Sequence, residues 1–257
     1  MKQNMTIVVG IDAKTIEQFR LTYPTWQLHR AEMWAMPWVI FYDRDQLEYG
    51  PLRSWLTDTV GLTNPEIVPW PPPAHAVPYE SQRARMLAGH FYVPAEHVAT
   101  EFFLKIDTDA VAAKQADWLK PLELIGDAVC ACCRWGYTKG VGALSALEKW
   151  GDAMPQMAAH PRLDIPQEPD QLRVGHARFC SWCAIYRMDF ARLVAELAAE
   201  HCGAYQMPYP SEDSCRWYAA ARMRMPMMIH NMKQYHWSNH SRIDELRRAV
   251  AEALCQN

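Results

Sequence analysis

Two aspartates that share one intervening residue, Asp107 and Asp109, close an apolar run that begins Glu101-Phe102-Phe103-Leu104-Lys105-Ile106. Alternate residues of a strand point to one face, and a strand that breaks at Asp107 lets both carboxylates converge at its carboxyl end. Two hard oxygen donors of this kind suit Mn²⁺ or Mg²⁺, and such a cation commonly holds a diphosphate. A solvated turn is the plainer reading of the same three residues. Asp12 and Asp43 each follow an apolar run as well, Thr6 to Ile11 and Trp38 to Tyr42. They face the same crevice if the strands are parallel, or simply cap the next helix.

Downstream lie two more chemical groupings. Pro210-Ser211-Glu212-Asp213-Ser214 offers a carboxylate pair at what also reads as an ordinary helix start. Ile229-His230-Asn231-Met232-Lys233-Gln234-Tyr235-His236-Trp237 carries histidines and a lysine, with His240 just beyond. A neutral imidazole is compatible with Mn²⁺.

The elements that must position these groups read as α/β. Apolar strands alternate with helical segments, the pattern of a parallel sheet covered on both faces. A helix is expected around Thr15 to Leu21, with Trp26 to Arg30 a short strand or connection. Residues 64 to 78, with Pro69-Trp70-Pro71-Pro72-Pro73, read as a stiff extended loop. Helices are predicted at Glu80 to His90, carrying Arg83 and Arg85, at Phe190 to His201, from Ser211 and at Arg242 to Leu254. Further strands fall at Asp127 to Arg134 and Phe179 to Tyr186. At 257 residues, half of them hydrophobic, the chain fits one α/β domain.

Composition excludes some classes. A net charge of −3 gives no global case for nucleic acid or an anionic membrane. The first apolar run is too short for a signal-peptide core, and nothing reaches the ~18 apolar residues of a spanning helix. A cytoplasmic protein without a membrane span is the expectation. The eight cysteines are then expected to be reduced and buried. Zinc shared by Cys130, Cys132 and Cys133 with Cys180 and Cys183 is the sharper alternative, weakened by the lack of knuckle glycines. Trp34, Trp38, Trp70, Trp135, Trp182 and Trp237 are expected to be exposed enough to stack on a sugar or a base. Arg216, Arg222, Arg224, Arg242, Arg247 and Arg248 line a phosphate track or, more plainly, a solvated helix face.

In order and spacing, the strand ending Asp107-Thr108-Asp109, the pair Glu212/Asp213 and the segment with His230 and Lys233 resemble the GT-A nucleotide-sugar glycosyltransferases. The resemblance covers most of the chain in outline and few residues in detail. The glycine often found between the histidine and the lysine is absent. The resemblance implies a single Rossmann-like domain over residues 1–257, with a mixed, mainly parallel sheet. It implies Asp109 as the better metal ligand, Asp107 on the metal or the nucleotide ribose, His230 as a further metal ligand with His236 or His240 as substitutes, and Lys233 on the diphosphate. Asp213, or Glu212, becomes the base in an inverting transfer from a UDP-sugar, and Asp43 and Arg85 become nucleotide contacts. The acceptor is left open among glycan, protein, small molecule and a hydroxylated base in DNA. A nucleotidyltransferase would use paired aspartates on a similar sheet, but Gly10-Ile11-Asp12 is not its glycine-rich phosphate loop. A non-catalytic binding module is the third class.

Overall fold

A computed structural model describes residues 4–72, 81–114, 117–126, 128, 130–137, 177–206, 216, 219, 223, 228–230 and 237–256. Strands β1 (Met5–Ile11), β2 (Trp38–Asp43), β3 (Glu66–Trp70), β4 (Phe102–Ile106), β6 (Cys130–Tyr137), β7 (Ala177–Arg187) and β8 (Met228–His230) form one sheet. Their order is β3-β2-β1-β4-β7-β6-β8. The first four are mutually parallel, β7 runs antiparallel to β4 and β6, and β8 is parallel to β6. A separate two-stranded sheet pairs β5 (Ala110–Ala112) with β9 (Trp237–Asn239). The helices are α1 (Thr15–His29), α2 (Tyr49–Ser54), α3 (Gln82–His97), α4 (Lys120–Leu124), α5 (Met188–Cys202) and α6 (Ile243–Leu254).

Strand alternation divides the core in two. Val8, Val39, Phe41, Phe103 and Tyr186 pack against α3 and α5. Ile7, Val9, Ile11, Ile40, Leu104, Ile106 and Ile185 face α1. Cys130 belongs to the first layer and Cys183 to the second, each buried as a small hydrophobe. These two thiols therefore do not converge on one ion. Helix α6 lays Leu246, Val250 and Ala253 over Val111. Among the described residues no helix is long and apolar enough to cross a membrane.

Phe41 sets how closely α3 approaches the sheet. A Cβ at Gly10 on β1 or at Gly89 on α3 would lie 2.4 Å from its ring. Both glycines make room for one fully buried aromatic. Gly89→Ala therefore overpacks a wedged ring at about 1–3 kcal/mol, against a helix-propensity gain of at most ~1 kcal/mol. A net loss of stability is expected in urea unfolding.

Several local expectations are corrected. Helix α1 runs through Pro24 to His29 and absorbs the segment Trp26 to Arg30, because Trp26 is a buried core residue of its last turns. Residues 66–70 form β3, the sheet's outer strand on that side, where Pro69 is tolerated because one flank needs no ladder bond. Trp38, Trp70 and Trp237 are 3%, 1% and 1% exposed, so they are core and not a stacking platform. Trp34 is half-buried against Trp38, and the side chains of Trp135 and Trp182 lie outside the described residues. Arg216 is buried with its guanidinium 4.5 Å from the Phe91 ring, off any surface phosphate track. Arg242 and Arg247 pair with Glu245 and Asp244 on the solvated side of α6, the plainer of the two expectations. Arg222 and Arg224 lie outside the described residues.

Candidate functional site

In the order β3-β2-β1-β4 the chain leaves β1 toward β2 on one side and reaches β4 on the other. The gap between the carboxyl ends of β1 and β4 is the topological switch point, where open α/β sheets bind ligands. Asp12, Asp43 and Asp107 follow or end β1, β2 and β4 on this one edge.

The strand breaks at Asp107, whose carbonyl accepts the Ala110 amide at 3.1 Å, and the chain restarts as β5. Helix α1 holds this turn. Thr22 Oγ1 donates to the Thr108 carbonyl at 2.7 Å, and Thr108 Oγ1 donates to Gln18 Oε1 at 3.1 Å. Trp26 Nε1 donates to the Ala110 carbonyl at 2.6 Å, and the Ala112 amide donates to Thr25 Oγ1 at 3.2 Å.

Each carboxylate has one oxygen held by a donor from the fold. Lys105 Nζ, on the same strand and buried, donates to Asp107 Oδ1. Asn239 Nδ2, on β9, donates to Asp109 Oδ1 at 2.6 Å. Burial first, and the neighbouring Asp107 charge second, push the Asp109 carboxyl up to about 6, with the Asn239 bond opposing them. A raised folded-state value means the protonated form favours folding. That contribution is fully present below the ordinary carboxylate range near pH 4 and is lost as pH rises through about 6. Thermal melts in chelator from pH 4 to 7 should show this loss, and Asp109→Asn should flatten it.

Asp12 acts as a local cap. Its Oδ1 accepts from the Lys14 and Thr15 amides at 2.9 and 2.7 Å and from Thr15 Oγ1 at 2.8 Å. Asp43 is fully buried and accepts from the Asp45 amide at 3.1 Å and from Gln46 Nε2 at 3.0 Å. Its ion pair with Arg85 Nη2 spans 3.2 Å, while Arg85 Nη1 reaches Asp45 at 2.6 Å. Burial raises the Asp43 carboxyl above its usual range, and Arg85 works against that shift. Gln46 Oε1 then accepts from the Ala13 amide at 3.3 Å and Gln82 Nε2 at 2.8 Å. Asp43 and Arg85 thus tie the loops after β1 and β2 to the start of α3, with both Asp43 oxygens engaged inside the protein.

The other expected site residues separate into two groups. Glu212, Asp213, Lys233 and His236 lie outside the described residues. His230 ends β8, paired in register with Cys133. Strands β7 and β6 intervene between β8 and β4, three strand spacings or roughly 14 Å of backbone. The structure does not bring the His230 backbone beside the aspartate pair. His240 stands there instead: its amide donates to the Asp109 carbonyl at 3.3 Å, and its Nε2 meets Ser238 Oγ at 3.0 Å. Among the described residues no third His, Cys, Asp or Glu makes the pair a cluster of three. Two carboxylates close enough for one charge to act on the other, each with one oxygen already held, nevertheless suit an octahedral cation that takes its remaining ligands from phosphate and water.

Sequence reasoning missed Lys105, Asn239 and the α1 side chains Gln18, Thr22 and Thr25. Lys105 had a visible signal, as the only charge inside an otherwise apolar strand. Asn239 had none, because only the pairing of β9 with β5 brings it to Asp109.

No protein-family model and no curated relative matches the sequence. Solved structures do. Core-mannan synthase A (CmsA/Ktr4) from Aspergillus fumigatus, in its Mn/GDP form, aligns with a TM-score of 0.60 at 14% identity, over 93% of this chain and 75% of that one. The galactosyltransferase LgtC, in complex with donor and acceptor sugar analogues, aligns at 0.54 and 12% identity, over 97% and 84%. The 4-diphosphocytidyl-2C-methyl-D-erythritol synthase from Anaerococcus prevotii aligns at 0.52 and 9% identity, over 98% of each chain. Likeness at these identities is likeness of fold. With its mixed, mainly parallel sheet, helices on both faces and a strand broken at paired aspartates beside the switch point, the chain has the Rossmann-like GT-A fold.

Proposed function

We propose that this chain is a metal-dependent glycosyltransferase that moves a sugar from a nucleotide-sugar donor, a UDP-sugar, to a hydroxyl acceptor. The observation that carries the reading is the pair Asp107/Asp109 at the carboxyl end of β4, beside the switch point. The same fold serves CmsA/Ktr4, solved with Mn and GDP, and LgtC, solved with donor and acceptor sugar analogues. Asp107 and Asp109 would hold Mn²⁺ or Mg²⁺, with phosphate and water as the remaining ligands; His240, whose amide meets the Asp109 carbonyl, would have to turn its imidazole away from Ser238 to join them. Bound there, the cation supplies charge stabilisation to the departing diphosphate. Lys233 adds a cationic contact to that diphosphate. Asp213, or Glu212 beside it, removes the acceptor hydroxyl proton as the oxygen attacks the anomeric carbon, which gives inversion. Asp43 and Arg85 shape the nucleotide end of the crevice through the loop network that they tie together.

A nucleotidyltransferase is the second reading, favoured by the likeness to the diphosphocytidyl synthase over nearly the whole of both chains. The two differ in product. A screen of UDP-sugars that reads released UDP, first with water and then with glycan, protein, small-molecule and hydroxymethylated-DNA acceptors, tests the first. Pyrophosphate release from a nucleoside triphosphate and a sugar phosphate, without UDP release from any donor, would replace it with the second.

A further inference from the structure

We infer that Lys105 is the resident counter-charge of the aspartate pair, and that it holds metal affinity low until a diphosphate is present. This inference rests on the reading of Asp107 and Asp109 as the metal site. Lys105 lies inside β4, two residues before Asp107, and is 2% exposed. Its Nζ closes on one oxygen of Asp107, so an ammonium sits within contact of a proposed metal ligand. A buried lysine is costly unless it is paired, and in this fold its pairing group is one of the two carboxylates the cation needs. Among the described residues, the ion pair that Lys105 makes is the one with Asp107. Beneath it lies His90, an imidazole kept neutral by burial and by the charges of Lys105 and Arg216, the latter a cation over the Phe91 and Tyr186 rings.

The charge count then decides the order of loading. Asp107, Asp109 and Lys105 together carry at most one net negative charge, a weak attraction for a lone divalent cation. A nucleotide diphosphate adds the missing negative charge, and the same ammonium that repels the cation attracts the phosphates. The metal therefore enters chiefly with the nucleotide and leaves with it.

Lys105→Met removes the charge and keeps the length. Isothermal titration of Mn²⁺ alone, and of UDP alone in chelator, reads two effects of opposite sign. Mn²⁺ alone should bind the variant about tenfold or more tightly than the wild type, and UDP alone several-fold more weakly. Lys105→Arg, which keeps the charge, should stay near wild type in both. A merely structural lysine would lose both affinities together or neither. Thermal melts establish that each variant is folded, and Lys105→Gln replaces the methionine if it is not. Mn²⁺ affinity unchanged or weakened in a folded neutral variant overturns the inference while leaving the metal site intact. A wild type that binds no Mn²⁺ with or without UDP removes the metal site itself, and the inference with it.

Discussion

Asp109→Ala should lower kcat/KM for sugar transfer by at least about a thousandfold, a loss of roughly 4 kcal/mol of transition-state stabilisation. The substitution deletes one of two oxygen donors that the fold has already oriented. The remaining carboxylate, Asp107, shares its charge with Lys105. Asp109→Asn keeps the shape and the contact with Asn239 but not the charge, and should be nearly as damaging. Among the described residues the Asp109 side chain has its side-chain hydrogen bond with Asn239 and sits at a strand end, so thermal melts should show the variant folded. Asp109 is the cleaner of the two tests: Asp107→Ala would also strip Lys105 of its partner. Released UDP, measured with donor and acceptor at saturation and below, separates a loss in kcat from a loss in KM.

Trp237→Ala should cost about 3–5 kcal/mol of stability. The indole is 1% exposed, edge-on to Trp26 at 6.2 Å and to Trp118 at 6.3 Å between ring centres. The Arg30 guanidinium, itself fully buried, lies 4.9 Å from its centre. Truncation leaves a cavity and takes the aromatic face from a buried cation. For a domain of this size each kcal/mol moves the melting point by about 2–4 °C, so a fall of roughly 6–20 °C is expected by calorimetry. Trp237 opens β9 and Asn239 closes it, so the same truncation loosens the donor that orients Asp109. Activity measured well below the melting point should therefore fall as well. Trp237→Phe should recover part of both.

What was legible in the sequence was whatever a short window carries. Alternating or continuous apolar runs marked β1, β2, β4 and β7, and the aspartates at their ends followed from direction alone. The strand break at Asp107 and the helices α5 and α6 were legible for the same reason. Features that depend on a distant partner were hidden. Residues 66–70 read as a proline-stiffened loop because nothing local says that β3 lies at the sheet's edge, where Pro69 costs little. Trp237, flanked by His236 and Ser238, reads as a surface residue until β5 and β9 pair over α1. Pro24 marks a helix end in isolation, yet burial of Phe19 and Trp26 on one face carries α1 through it. At the candidate site, residue type marked the two aspartates, while topology supplied Asn239 and set the backbone of His230 three strands from β4.

The most direct test of the central claim is calorimetric titration of UDP into the protein with Mn²⁺ and then with chelator, repeated on Asp109→Ala. The expected result is binding that needs the metal and is lost in the variant. UDP binding equal in Mn²⁺ and chelator, or unchanged in Asp109→Ala, would contradict it.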